Sequence, residues 1–424
     1  MSLNGADFGL RALAHDAFGR NVERLARRRA WLVIGIAFVI VVGLAATFQV
    51  SRNIFGLDLR IYRDSVISTL RDHRPLYGTT HEEVALPFTY PPFALLWLSP
   101  LALLPVAIDA VIVMIAGFAV CALVYETVCG RLPLTTRLRI VIGLVIVAAM
   151  FTDPFRLTFG FGQVNFALFL LVFADVFWLS PRWRGIGVGI AAAIKLTPLV
   201  FLLYFLWRRQ WRALAVSIAT AALCTAAAEL VIRGSFMDYI TWMRAHSGDI
   251  GSPAYVSNQS LSGVVMRLWP GSDPQSWMWL AACAAVLGLC AAILPKLSDT
   301  EVLDQLMAFT TVALTGLLIS PISWSHHWVV IVVVGVLAVL WPDRWVRGAA
   351  IALWVSDLFG FMWFAESPPA GIIHGWFGEI VVSNAVSWCA LAFFIVLYLR
   401  LQKFNHLQAL PAGNRQHQGA EGTS

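Results

Sequence analysis

Three polar stretches interrupt a largely apolar chain, and each carries a side chain able to do chemistry. Asp58 lies in Asn53-Ile54-Phe55-Gly56-Leu57-Asp58-Leu59-Arg60-Ile61-Tyr62. Leu59, Tyr62, Val66 and Leu70 recur there at helical spacing, describing an amphipathic helix lying on a membrane with Asp58 in its first turn. A carboxylate so placed either caps free backbone N–H groups or, just above a bilayer, serves as a general base. Lys195, one of three lysines, interrupts an apolar hairpin at Lys195-Leu196-Thr197-Pro198. Such a cation either meets an anion such as a lipid phosphate or snorkels to the interface. The third stretch is the turn Ser320-Pro321-Ile322-Ser323-Trp324-Ser325-His326-His327-Trp328. Adjacent side chains on a helix point about 100° apart, so His326 and His327 are poor co-ligands for one metal. One can hydrogen-bond a phosphate while the other packs, or both can be interfacial residues among tryptophans.

Weaker signals accompany these. In Asp153-Pro154-Phe155-Arg156, the arginine suits a phosphate or a local pair with Asp153. Gln163 and Asn165, in Gly162-Gln163-Val164-Asn165, suit sugar hydroxyls. Asn258 and Gln259 of Asn258-Gln259-Ser260 offer further amides, and Asn258 also begins a glycosylation sequon. Tyr90-Pro91-Pro92 reads as an extended entry into an apolar run, with no reactive group. Arg60, Arg63 and Asp64 read as a solvated helix face. No phosphate-binding glycine loop, dinucleotide fingerprint or zinc-protease helix occurs, which weakens ATP-driven transport and zinc proteolysis. No pair of like segments announces transporter repeats.

The elements that must position these residues are membrane helices. The 424 residues are 59% hydrophobic and 13% charged, against roughly 45–50% and 25% in soluble domains. The net charge of +6 is no nucleic-acid signal, because the arginines flank apolar runs. Six cysteines without a CxxC pair suggest neither a disulfide framework nor a zinc site. Polar, Arg-rich sequence precedes the first apolar run, unlike a cleavable signal peptide. Apolar runs fall near 31–50, 92–104, 106–128, 139–151, 164–180, 186–194, 198–206, 213–232, 276–295, 305–320, 327–341, 348–364 and 377–399. Arg24, Arg27 to Arg29, Arg131, Arg137, Arg139, Arg182, Arg184, Arg208, Arg209, Arg212, Arg344, Arg347, Arg400 and Lys403 occupy alternate links. With all of these cytoplasmic, both termini are cytoplasmic and the number of crossings is even. The run 92–104, bracketed by prolines, is the best non-crossing candidate, leaving about twelve transmembrane helices. Segments 51–91, 152–163, 233–275 and 321–326 then lie outside with Asp58, Lys195 and the histidines.

In this order, the motifs resemble the GT-C superfamily of polyprenol-phosphate-sugar-dependent membrane glycosyltransferases. An acidic residue early in the first outer loop, a Tyr-Pro-Pro entry and a Lys-x-x-Pro hairpin are the shared plan. The chain is most similar to glycosyltransferase family 87, on stretches spanning 50–330, and within it to actinobacterial enzymes extending phosphatidylinositol mannosides. The resemblance implies an all-α, polytopic GT-C fold with a catalytic domain over 31–400, between a cytoplasmic segment 1–30 and a cytoplasmic tail 401–424. It implies an inverting α-(1→2) transfer of mannose from polyprenyl-phosphate mannose to a phosphatidylinositol mannoside, outside the plasma (inner) membrane. Asp58 would be the base, and Lys195, His326, His327 and Arg156 would bind the donor phosphate. Arg60, Tyr62, Gln163, Asn165, Asn258 and Gln259 would meet sugar or acceptor, under a loop carrying Trp242, Tyr255 and Trp269. Neither cofactor nor metal is implied, because the lipid-linked sugar is already activated and the first loop lacks a DxD-type pair. The alternative of another class is a lipid or lipid-linked-sugar transporter (a flippase), with the same cation carrying the head group.

Overall fold

The computed structural model describes Gly35 and residues 56–78, 86–246, 251–271, 276–365, 373 and 375–409. The expected segment 1–30 and, Gly35 apart, the first apolar run lie outside the described residues, as does 410–424 of the expected tail. Among the described residues there is no strand, only an isolated antiparallel bridge between Asn258 and Trp324.

The chain runs through α1 (Leu57–Val66), which continues as a π turn over Ile67–Arg71, then α2 (Pro92–Ala102) and α3 (Val106–Arg131). There follow α4 (Thr136–Ala149), α5 (Asp153–Phe161), α6 (Asn165–Phe177) and α7 (Ile186–Ile194). A 3-10 turn at Thr197–Val200 leads into α8 (Phe201–Trp207), then α9 (Trp211–Val231), α10 (Ser235–His246) and α11 (Leu261–Leu268). The rest comprises α12 (Trp277–Ile293), α13 (Val302–Ile319), α14 (Ile331–Leu340), α15 (Arg344–Phe359), a short helical stretch around Gly378–Val382, and α16 (Ala385–Ala409). Prolines write several starts: Pro92, Pro154 and Pro198 stand in first turns, where a missing N–H costs no helical bond.

Five of these helices are long and apolar enough to cross a bilayer: α3, α9, α12 extended to Lys296, α13, and α16 as far as Lys403. Joined as one span despite their 51° bend, α4 and α5 make a sixth. Among the described residues, shorter apolar helices include α2, α6, α14 and the Thr197–Trp207 pair. Central and peripheral helices separate clearly. In α13, 67% of the apolar window is buried, against 11% in α9. Exposed Leu223, Leu230 and Val231 leave α9 with an outward apolar face, as a lipid-facing helix requires.

Side-chain contacts sort the links into two groups. Arg131 donates to the Phe177 carbonyl, Arg184 to Gln210 and Arg212 to the Arg182 carbonyl. Arg208 donates to the Leu297 and Ser298 carbonyls, and Arg400 meets Asp343 at 2.7 Å. In α6 and α7, Phe177 and Arg184 lie at the ends opposite Asn165 and Lys195.

Candidate active site

Two glycines seat α1. Gly56 is left-handed (φ +71°), and its N–H donates to the Gly160 carbonyl at 2.7 Å. Gly162 ends α5 at φ +70°, where a Cβ would fall 2.8 Å from the Leu59 Cβ. Only glycine lets the first turn of α1 rest on that corner. The expected apolar stripe is present, with Leu59, Tyr62 and Val66 all buried. Arg63 clamps the far side of α1, pairing with Asp109 at 2.6 Å and donating to the Leu101 and Leu104 carbonyls.

Asp58 is not a cap, which removes one of its two readings. The N-cap is Gly56, and no side chain caps the helix. The side chain of Gln163 and the charge of Lys195 both favour the ionised carboxylate instead. The amide oxygen of Gln163 then takes the Tyr62 hydroxyl at 3.1 Å and the Tyr90 hydroxyl at 2.9 Å.

Lys195 caps α7 with an extended backbone, which ends the helix and turns the side chain to the same place. Its Nζ lies 2.9 Å from His327 Nε2, 3.3 Å from Asn165 Oδ1 and 5.2 Å from the Tyr90 ring centroid. Asn165 uses its amide nitrogen to hold the His326 carbonyl at 2.9 Å, and Thr158 holds the same carbonyl at 3.0 Å. The two imidazoles stand edge to face, with centroids 4.6 Å apart and planes 88° apart. Both ring nitrogens of His326 and Nδ1 of His327 are buried without a hydrogen-bond partner. Asp58, Lys195 and His327 keep partial solvent access, while Gln163, Asn165 and His326 are buried behind them.

The electrostatics follow from that enclosure. Burial pushes Asp58 up to about 6, opposed by Gln163 and by the charge of Lys195. Burial pulls Lys195 down to about 7, opposed by Asp58. Both imidazoles are held well below their usual range by burial and then by Lys195, so each is neutral. A neutral His327 can accept from the ammonium through Nε2.

The remaining predicted residues lie elsewhere. Arg60 is exposed on α1. Arg156, half-exposed on α5, pairs with Asp153 at 3.4 Å. Asn258 and Gln259 are fully buried beneath the histidine turn. The Asn258 amide holds the Pro253 and Pro321 carbonyls and the Ser323 N–H, and Gln259 holds the Val256 and Ser383 carbonyls. Trp242 is packed against Tyr77 and His246, whereas Tyr255 and Trp269 are exposed. Tyr90 was read as carrying no reactive group, yet its hydroxyl and ring touch both halves of the site; the Tyr-Pro-Pro motif was the signal. Thr158 had none. Among the described residues, no three His, Cys, Asp or Glu are arranged to hold a metal ion.

An all-helical apolar chain that gathers a carboxylate, an ammonium and neutral imidazoles at one end of its helices has the make-up of a membrane protein with a polar reaction site. The sequence model of glycosyltransferase family 87 matches residues 88–321, and the chain belongs to that family. Tyr90, Gln163, Asn165 and Lys195 fall inside the match, and Asp58 and the two histidines outside it. The chain is 33% identical over 332 residues to a polyprenol-phosphate-mannose-dependent alpha-(1-2)-phosphatidylinositol mannoside mannosyltransferase of Mycolicibacterium smegmatis, covering 71% of this chain and 75% of that one. It is 33% identical to the like-named protein of Mycobacterium tuberculosis, covering 78% and 82%. A polyprenol-phosphate-mannose-dependent alpha-(1-2)-phosphatidylinositol pentamannoside mannosyltransferase of M. tuberculosis is 29% identical, with 83% and 81% covered. No solved structure matches the chain.

Proposed function

We propose that this chain moves mannose from polyprenyl-phosphate mannose to a phosphatidylinositol mannoside, forming an α-(1→2) linkage at the outer face of the plasma membrane. The names of its relatives support donor and acceptor. The observation that carries the mechanism is the partial exposure of Asp58 and Lys195 at one site, joined through Gln163, Tyr90 and Asn165. Asp58 takes the proton of the acceptor hydroxyl as that oxygen forms its bond to the mannose anomeric carbon. The bond from that carbon to the phosphate oxygen breaks with inversion, and the electron pair leaves on the polyprenyl phosphate. Lys195, held by the Nε2 of His327, then stabilises the growing phosphate charge. Arg156 sits on the helix beside the histidine turn, within the same outer group of links.

About twelve crossings with both termini cytoplasmic agree with the positive-inside rule. The catalytic domain then spans 31–400, between cytoplasmic segments 1–30 and 401–424. In this arrangement α1 lies along the interface with its apolar stripe on the protein, and α2, braced by Arg63 at its end, does not cross.

The test is transfer by the full chain in nanodiscs supplied with polyprenyl-phosphate mannose and a phosphatidylinositol mannoside. Wild type should form the mannoside, and Asp58→Asn should lose roughly 10²- to 10⁴-fold in rate. Undiminished transfer by Asp58→Asn would remove it as the base. Absence of transfer by wild type with any lipid-linked sugar would favour the transporter.

A further inference from the structure

We infer that Asn165 is a positioning residue that seats the Lys195 ammonium, directly and through the histidine turn, rather than a contact to sugar or acceptor. The inference rests on Lys195 being the phosphate cation of the proposed transfer. Three observations carry it.

First, one amide ties both supports of the lysine. Asn165 Oδ1 lies 3.3 Å from Lys195 Nζ, and its Nδ2 donates to the His326 carbonyl at 2.9 Å. That carbonyl belongs to the peptide bond leading into His327, whose Nε2 lies 2.9 Å from the same Nζ. Lysine, amide, peptide and imidazole thus close a ring. It joins the start of α6 to a lysine 30 residues further on and to a carbonyl 161 residues further on.

Second, the ring admits one amide orientation. An ammonium only donates and a carbonyl only accepts. Turning the amide over would set its nitrogen against Lys195 and its oxygen against the His326 carbonyl. Thr158 adds a second donor to that carbonyl at 3.0 Å, and its hydroxyl accepts from Asn165 Nδ2 at 3.3 Å.

Third, the seat is closed behind a reachable cation. Thr158, Asn165 and His326 are each less than one-tenth exposed, whereas Lys195 is partly accessible. Two of the three ammonium protons are directed at Asn165 and His327, which leaves one for a ligand. Such a seat fixes where that proton points, and so where a phosphate oxygen must lie.

The sign of the consequence is fixed. An acceptor on the ammonium favours its charged form, so removing Oδ1 moves the titration of Lys195 down, by about one pH unit. Water admitted by a loosened fold would relieve burial and move it up. Lys195 also feels Asp58 on α1, Tyr90 at the α2 entry and both histidines of the turn, all of them kept in the variants. The experiment is an NMR titration of lysine labelled with carbon-13 at Cε, on the full chain in nanodiscs without substrate. The chain has three lysines, and the signal that Lys195→Arg removes is that of Lys195. Wild type is compared with Asn165→Leu, which keeps the volume, and with the smaller Asn165→Ala. We expect the midpoint to fall in each folded variant. An unchanged midpoint would mean that the amide does not seat the cation. A rise, or failure of both variants to fold, would make Asn165 a packing residue alone; either result overturns the inference. The titration needs no turnover, so it stands apart from the test of mannosyl transfer. Where transfer is measured, the donor KM should rise and the alkaline limb should move down, with the acceptor KM unchanged. A raised acceptor KM beside an unchanged midpoint would return Asn165 to sugar or acceptor binding and overturn the inference.

Discussion

At the residue scale, Asp58 and Lys195 define a narrow working range. In the proposed transfer the free enzyme needs the carboxylate ionised, above about 6, and the ammonium protonated, below about 7. As pH falls through the first value the base is protonated, and as it rises through the second the phosphate loses its cation. A plot of kcat/KM against pH should therefore be bell-shaped, with its maximum between those values. Bound donor phosphate holds Lys195 protonated, so the alkaline limb of kcat should lie higher than that of kcat/KM. Lys195→Ala should raise the donor KM roughly ten- to hundredfold with folding retained, the value of one hydrogen bond to a charged group. Loss of folding instead would make Lys195 structural. Asp58 and Lys195 were legible because charge in an apolar setting is conspicuous. Tyr90 was not, because its role comes from where Gln163 folds back to meet it. Asn258 and Gln259 show the converse. Exposed-looking amides in a long outer loop turn out to satisfy backbone groups that no periodicity reveals.

At the scale of elements, the site depends on how α1 is seated. Leu59 rests over Gly162, and Arg63 is tied to Asp109, which is fully buried. Gly162→Ala should therefore be costly twice over. The left-handed corner is disfavoured for alanine by roughly 1–2 kcal/mol, and the new methyl meets the Leu59 Cβ. We expect a lower Tm of the purified protein and a larger proportional loss of transfer, because Asp58 is one residue from the displaced Leu59. Wild-type Tm and transfer in this variant would mean that α1 does not use the corner. The amphipathic period of α1 was readable from Leu59, Tyr62 and Val66, but its buried partner was not. The stripe was read as facing a membrane and instead packs on protein, because Gly162 approaches Leu59, and Tyr90 approaches Tyr62, from distant parts of the chain. Runs near 186–194 and 198–206 were placed well, since Lys195 and Pro198 break the apolar pattern between α7 and the Thr197–Val200 turn.

For the whole molecule, the two groups of links make sidedness a testable property. Lateral access for two lipid substrates requires the reaction site at a bilayer surface, and the arginines nominate the opposite surface as cytoplasmic. Ser252, exposed in the segment that leads to Asn258, and Thr300, exposed beside the Arg208–Asp299 pair, report the two surfaces. In a chain whose six native cysteines are replaced by serine, Ser252→Cys should react with a membrane-impermeant maleimide on intact cells. Thr300→Cys should react only after the cells are opened. The reverse pattern would put Asp58 and Lys195 on the cytoplasmic side and overturn the assignment drawn from Arg131, Arg208 and Arg400. Labelling of both in intact cells would mean that the links do not alternate as the charges indicate. A site on the cytoplasmic side would still permit transfer, but it would require donor and acceptor head groups on that leaflet. The topology experiment therefore decides which leaflet must supply the polyprenyl-phosphate sugar.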